Sequence, residues 1–201
     1  MKRGTLVVMV KEPRPGRVKT RLGRDLGMTA AAWWFRHQAR RLIRNVQDPR
    51  WNVVLAVTPD RAGLSSRVWP EHIARAPQGQ GNLGDRMARM LRGAPAGPVC
   101  VIGADIPGIN RAEIAKAFHA LGGHDAVFGP APDGGYWLIG LKRARAVPPG
   151  LFDNVRWSSE HALADTIATL PDHHIAQVAT LQDVDTIDDL PMTNRGARAT
   201  C

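Results

Sequence analysis

The chain has 201 residues, 44% of them hydrophobic and 22% charged, the composition of one ordered domain rather than a low-complexity or disordered protein. Its two cysteines, Cys100 and Cys201, supply neither a disulfide framework nor a zinc motif, and no apolar stretch approaches the length of a membrane span. The formal charge of +9 is uneven: residues 1–50 hold thirteen Lys or Arg against three Asp or Glu, the rest fourteen against fifteen, so an anionic partner is expected at the N-terminal quarter.

Thr5–Val10 is a short apolar run without alternation, the pattern of a strand buried on both faces. From Thr29, a candidate cap, to about Val46, the apolar residues Ala32, Phe35, Ala39, Leu42 and Val46 recur at helical spacing. Arg36, Arg40, Arg41 and Arg44 fall on the other face, and Trp33 and Trp34 are expected to pack within the helix layer. Asn52–Val57 predicts a second buried strand. A glycine-rich link, Gly79–Gly84, precedes a helix over Leu83–Leu91, and Val99–Gly103 is a third strand. Asn110 with Glu113 predicts a capping box for a helix over Arg111–Ala120. Strands are expected at Asp125–Gly129 and Tyr136–Leu141, a helix from Ser158 or Ser159 to about Thr169, a strand at Ile175–Ala179, and a short terminal helix begun by "DTIDDL".

Strands alternating with helices predict an α/β fold of three layers, with a mostly parallel sheet and helices on both faces. The close strand pair near residues 125–141 adds antiparallel pairing and makes the sheet mixed. One domain over residues 1–191 and a flexible tail over 192–201 are expected. The apolar run "TLVVMV" is too short for a secretory signal, and a cytoplasmic protein without a membrane partner is expected. Basic faces that bind nucleic acid usually carry exposed stacking aromatics; the aromatics here are spread along the chain, and no nucleic-acid partner is expected.

In open α/β sheets, ligands bind beyond the carboxyl ends of the strands. Directly after the first strand, Lys11, Arg14, Arg17, Lys19 and Arg21 fall within eleven residues. Arg binds phosphate by forked hydrogen bonds and Lys as a compact charge, and Gly16 permits close backbone approach. The Walker A spacing is missing. Lys11, Gly16, Arg17, Lys19 and Arg21 are therefore candidate phosphate-binding residues; a solvated basic turn is the alternative. Asp105, just past the third strand in "VIGADIPGI", is a candidate ligand for Mg²⁺ or Mn²⁺, since such ions take one or two carboxylates plus phosphate oxygens; its alternative is a turn cap. Asp85 and Arg86, after Gly84, open a helix whose N-terminus can face a phosphate or base; a loop with a paired surface Asp and Arg is the alternative. Asp133, Gly134 and Gly135 form a D-G turn that can also touch a sugar or acceptor. Among the four acids of "DVDTIDDL", Asp185 is a candidate second metal ligand, unless the acids merely favour a helix dipole. Trp137 and Trp157 are candidate pocket walls. The seven histidines show no metal or catalytic spacing, and no G-x-S-x-G elbow is present.

In this order and across nearly the whole chain, "VKEPRPGRVKTRLG", "NLGDRM", "GADIP", "DGGYWLIGL" and "DVDTIDDL" resemble a bacterial family of nucleotide-diphospho-sugar transferases, some described as glycosyltransferases of arsenosugar biosynthesis. That family is similar to phospholactate guanylyltransferases and molybdenum-cofactor nucleotidyltransferases, whose Lys-[Ser/Thr]-Arg-Leu loop is matched by Lys19–Leu22 and whose terminal D-x-D-T-x-x-D-L is matched by Asp183–Leu190. The resemblance implies a Rossmann-like GT-A fold with Asp105 as the metal-binding acid. The family commonly carries another acid just after Asp-x-Pro, where this chain has Gly108 and Ile109. Expected ligands are a nucleotide or nucleotide sugar and a small-molecule acceptor. Lys19, Arg21 and Asp105 are the candidate catalytic residues. Glycosyl transfer is the first expectation, nucleotidyl transfer from a nucleoside triphosphate the second, and an inactive phosphate-binding homologue the third.

Overall fold

A computed structural model describes residues 3–189 of the chain; the terminal residues 190–201, with the expected tail, lie outside the described residues. Strand β1 (Gly4–Lys11) leads to helices α1 (Thr20–Leu26) and α2 (Met28–Asn45), then β2 (Trp51–Thr58), α3 (Asp60–Leu64) and β3 (Ala74–Pro77). The order continues with α4 (Leu83–Gly93), β4 (Val99–Ile102), α5 (Arg111–Gly123), β5 (Ala126–Pro130), β6 (Tyr136–Leu141), α6 (Ala162–Ala168) and β7 (Ile175–Gln177). The strands form one sheet in the order β3-β2-β1-β4-β6-β5-β7. Only β6 runs antiparallel to its neighbours, β4 and β5.

Side chains alternate across a strand, and here both faces are covered. Leu6, Val8 and Val10 of β1 join a core with Phe35, Ala39, Leu42 and Ile43 of α2 and Ile114, Ala117 and Leu121 of α5. Val7 and, less deeply, Met9 point the other way, into a core with Met87, Ala88 and Leu91 of α4 and Ala162 of α6. The unbroken apolar run of β1 is what a strand between two helical layers requires. Burying each large side chain of α2 contributes roughly 1.5–3 kcal/mol, so this helix is held by its apolar face. The predicted mixed three-layer sheet is the observed one.

Several local expectations are corrected. Helix α2 starts at Met28 after Gly27, whose φ of 86° suits glycine, so Thr29 lies inside the first turn and does not cap it. Trp34 packs against the core as expected, but Trp33 does not: it is 64% exposed and touches His37 on the outer face. Asn110 caps α5 by accepting from the backbone N–H groups of Ala112 and Glu113, but the Glu113 carboxylate pairs with Lys116 at 2.9 Å. The reciprocal capping box sits instead on α4, between Asn82 and Asp85. Helix α6 begins at Ala162, not at Ser158 or Ser159, and β7 ends at Gln177. Residues 183–189 form an extended stretch and a turn, not a helix. Asp189 closes that turn by accepting from Asp185 N–H, Thr186 N–H and the Thr186 hydroxyl.

Candidate functional site

After β1 the chain turns to one side to build β2 and β3, then crosses back to place β4 on the other side of β1. The loops leaving β1 and β4 therefore diverge, opening a crevice at a topological switch point. A cleft of about 540 Å³ occupies it, lined by Lys11, Arg17, Lys19, Arg21, Gln78, Arg86, Asp105, Trp137 and Asp185 among others. A smaller cleft of about 210 Å³ adjoins it and shares Asp105 and Trp137; Asp133, Gly135, Trp157 and Asp183 also line it.

Lys19 is the centre of the site. Its Nζ lies 2.7 Å from an Asp105 oxygen, 2.7 Å from Asp185 and 3.6 Å from Asp183, and its side chain is only 7% exposed. Arg21 reaches Asp185 at 3.1 Å from the solvent side. The Lys19 backbone is left-handed, φ 44° and ψ 49°, a conformation that costs a non-glycine residue roughly 1–2 kcal/mol. Its ammonium contacts offset that strain.

The chain aims these carboxylates by simple alternation. Asp105 lies between the buried Ala104 and Ile106, so its own side chain is turned towards the cleft. Val184 is 2% exposed and packs against Leu22 of α1 and Ala31 of α2. In an extended chain the residues on either side of Val184 point the opposite way, which brings Asp183 and Asp185 together towards Lys19.

Burial works against the charge on Lys19, but Asp105 and then Asp185 outweigh it and hold its pKa above the ordinary lysine value. Asp185 is likewise opposed by burial; its hydrogen bond from Lys19 and the charges of Lys19 and Arg21 bring its pKa below the usual carboxylate range. Asp183 behaves differently. Burial pushes its pKa up to about 6, and the charges of Asp185, Asp105 and Asp133 add to this while Lys19 opposes it. The longer 3.6 Å contact explains why Lys19 does less for Asp183.

The donor set suits a hard divalent cation: three carboxylates surround one ammonium beside the main cleft, and Mg²⁺ or Mn²⁺ prefers such oxygens. Among the described residues no three acidic, histidine or cysteine side chains close a metal cage by themselves. Ligands from a bound phosphate and water would complete the coordination.

The other sequence candidates divide into three groups. Lys11 and Arg17 line the main cleft with Lys19, Arg21, Asp105 and Asp185. Asp133 and Gly135 line the smaller cleft, with Gly135 N–H donating to Asp133 Oδ1 at 2.9 Å. Gly16, Gly84, Asp85 and Gly134 line neither cleft. Gly16 supplies a left-handed turn at φ 71°. A Cβ at Gly84 would press on Phe152 and Trp157, and one at Gly134 would overlap the backbone of Glu160. Asp85 accepts from Asn82 N–H at 2.9 Å as half of the capping box.

Two further residues escaped the sequence reading. Asp183 was indistinguishable from its acidic neighbours. Gln78, 4% exposed, donates through Nε2 to the carbonyls of Val10 and Ala56 at 3.2 and 2.8 Å. Both donors being used, its side-chain carbonyl remains as an acceptor on the cleft wall. No motif announced it; only its burial between two strands does.

Comparison with known proteins follows the same lines. No curated protein matches the chain. A protein of Desulfovibrio desulfuricans G20, provisionally described as a nucleotide-diphospho-sugar transferase, has a similar crystal structure, with TM-score 0.86 and 28% identity over 98% of this chain and 90% of its own. CMP:2-keto-3-deoxy-manno-octonic acid synthetase, in complex with CTP, matches at TM-score 0.55 and 10% identity, over 92% of this chain and 94% of its own. Rv0371c of Mycobacterium tuberculosis H37Rv, in complex with manganese, matches at TM-score 0.55 and 15% identity, over 93% and 95%. These last two establish likeness of fold alone. The resemblance read in the motifs and the Rossmann-like transferase fold are both borne out. With its sequence profile matching residues 42–159, more than half of the chain, this protein belongs to the bacterial family DUF2064, described as uncharacterized protein conserved in bacteria.

Proposed function

We propose that the protein is a divalent-metal-dependent transferase that moves a glycosyl group from a nucleotide sugar to a small-molecule acceptor. One observation carries this reading. The Lys19 ammonium and the Asp105 and Asp185 carboxylates meet within 2.7 Å where two clefts join, one basic and one lined by Asp133. The wider cleft takes the nucleotide and its phosphates, and the narrower takes the acceptor.

Asp105 and Asp185 would hold the cation, with Asp183 as a third oxygen donor. The cation supplies charge neutralisation to the phosphates. Lys19 and Arg21 stabilise the negative charge that grows on the nucleoside diphosphate as the bond between the sugar carbon and phosphate oxygen breaks. The acceptor hydroxyl, oriented by Asp133, forms the new bond to that carbon and releases its proton to the Asp133 carboxylate or to water. Lys11 and Arg17 hold the phosphates at the cleft mouth, and Gln78 offers its carbonyl to a donor on the bound nucleotide.

Nucleotidyl transfer is the second reading. Five cations line the main cleft: Lys11, Arg17, Lys19, Arg21 and Arg86. That excess suits a triphosphate better than a diphosphate already neutralised by metal. An acceptor phosphate would then attack the α-phosphorus, with pyrophosphate leaving towards Lys19 and Arg21.

A panel of nucleoside triphosphates and nucleotide sugars, each with Mg²⁺ or Mn²⁺ and read by thermal shift, separates the two. Stabilisation by nucleotide sugars supports glycosyl transfer. Stabilisation by triphosphates alone favours the second reading, and stabilisation by neither leaves an inactive homologue.

A further inference from the structure

The cleft uses only part of the basic charge in the first fifty residues. The rest lies along α2. At 100° per residue, Trp33, Arg36, His37, Arg40, Arg41 and Arg44 share one face, opposite the buried Phe35, Ala39, Leu42 and Ile43. The helix contains no acidic residue. Among the described residues none of these four arginines makes an ion pair or a side-chain hydrogen bond, in contrast to Arg21, Arg50 and Arg156. Asp48, just past the helix, is held by Arg50; Asp25, beside Leu26 in α1, is exposed and sets one negative charge against this basic row.

At the N-terminal end of this face, Trp33 adjoins apolar surface from α1 and from the first residue of α2. Leu26, Met28 and Trp33 are 38%, 39% and 64% exposed, and they line one shallow depression at the corner between α1 and α2. The Trp33 ring lies against His37, with centroids 3.9 Å apart. Large apolar side chains grouped in water beside a row of unpaired cations have two needs, removal from water and negative charge.

We propose that the outer face of α2, with the α1–α2 corner, docks on an anionic lipid bilayer. Trp33, Leu26 and Met28 enter the interfacial region, where an amphipathic ring with one wet edge is favoured. Arg36, Arg40, Arg41 and Arg44 lie along the headgroup phosphates, attracted by the surface potential. Nucleic acid would use the arginines but has no place for Leu26 and Met28. The contact is peripheral, in a chain in which no described helix is long and apolar enough to cross a membrane. It is independent of which transfer the cleft performs; α1 joins them, from Arg21 at the cleft to Leu26 at the corner.

The test is sedimentation of the full chain with vesicles of phosphatidylcholine alone or mixed with phosphatidylglycerol. Binding is expected on the anionic vesicles and lost on the neutral ones. Arg40→Glu with Arg44→Glu should weaken it on the order of tenfold or more, since each cation acts separately on the surface potential. Trp33→Ala should weaken it too and leave residual binding that salt abolishes. Unchanged circular dichroism and nucleotide-induced thermal shift establish that both variants are folded. Equal binding by wild type and the double variant, or equal binding to both vesicle types, overturns the proposal. So does tighter binding to a DNA or RNA oligonucleotide that is insensitive to Trp33→Ala, which would assign the face to nucleic acid.

Discussion

Two groups of cations come from the same N-terminal quarter and meet opposite fates. Lys19 is buried, strained in its backbone and in contact with three carboxylates from two distant segments. Arg36, Arg41 and Arg44 stand in water along α2 with the half-buried Arg40 between them, and none of the four has an ion pair among the described residues. In sequence they form one excess of charge. Their partners separate them: the first is neutralised inside the molecule by Asp105, Asp183 and Asp185, and the second is not.

The sharpest way to break this contrast is to remove Asp105. Asp105→Ala should abolish metal-dependent nucleotide binding, and unchanged affinity by calorimetry would remove Asp105 from the site. Next, Lys19→Ala with Arg21→Ala should weaken binding of a metal-bound triphosphate by about 3–6 kcal/mol, the scale of two charge-assisted hydrogen bonds. Equal affinity in wild type and double variant would show that the loop only decorates the cleft mouth. Lys19→Met keeps the side-chain length and removes the charge. It should destabilise the free protein by about 1–3 kcal/mol in urea denaturation, at or below the usual cost of breaking a buried pair because the acids are partly exposed. No change would mean that the three carboxylates do not depend on Lys19.

Asp183 gives a smaller effect with a definite sign. Its folded-state pKa, about 6, lies above the ordinary carboxylate value, so the fold favours its protonated form. Its contribution to stability is complete below about pH 4 and is lost as pH rises through 6. Asp183→Asn should therefore melt higher than wild type at pH 7 without metal, and the difference should shrink as the pH falls to 4. A difference independent of pH would mean that Asp183 is not held against its charge. The smallest effect belongs to the other group: Arg36→Ala with Arg44→Ala should change stability by no more than about 0.5 kcal/mol in the same denaturation and leave nucleotide affinity intact. A larger loss of either would join α2 to the cleft and dissolve the contrast.

Much of the scaffold was legible in particular stretches. The unbroken apolar run of β1 announced a strand buried on both faces, and the spacing of Phe35, Ala39 and Leu42 announced α2. Short elements escaped: α1, α3 and β3 hold seven, five and four residues, too few for a period to show. Helix signals misled at the C-terminal end, where Asp189 caps a turn that has no helix behind it among the described residues. That error concealed Asp183 as well. In a helix, residues 183 and 185 would point to different sides; in the extended chain they point to one.

The sequence by itself determined the layered α/β scaffold, the uneven charge and the placing of Lys19 and Asp105 beyond strand ends, because burial periodicity and loop position are local properties. Tertiary structure alone decided which acids face which cation. Lys19 and Asp185 are 166 residues apart, and their meeting depends on Val184 packing against Leu22 and Ala31. Contact across such a separation is set by how whole elements pack in three dimensions, and no local pattern encodes it.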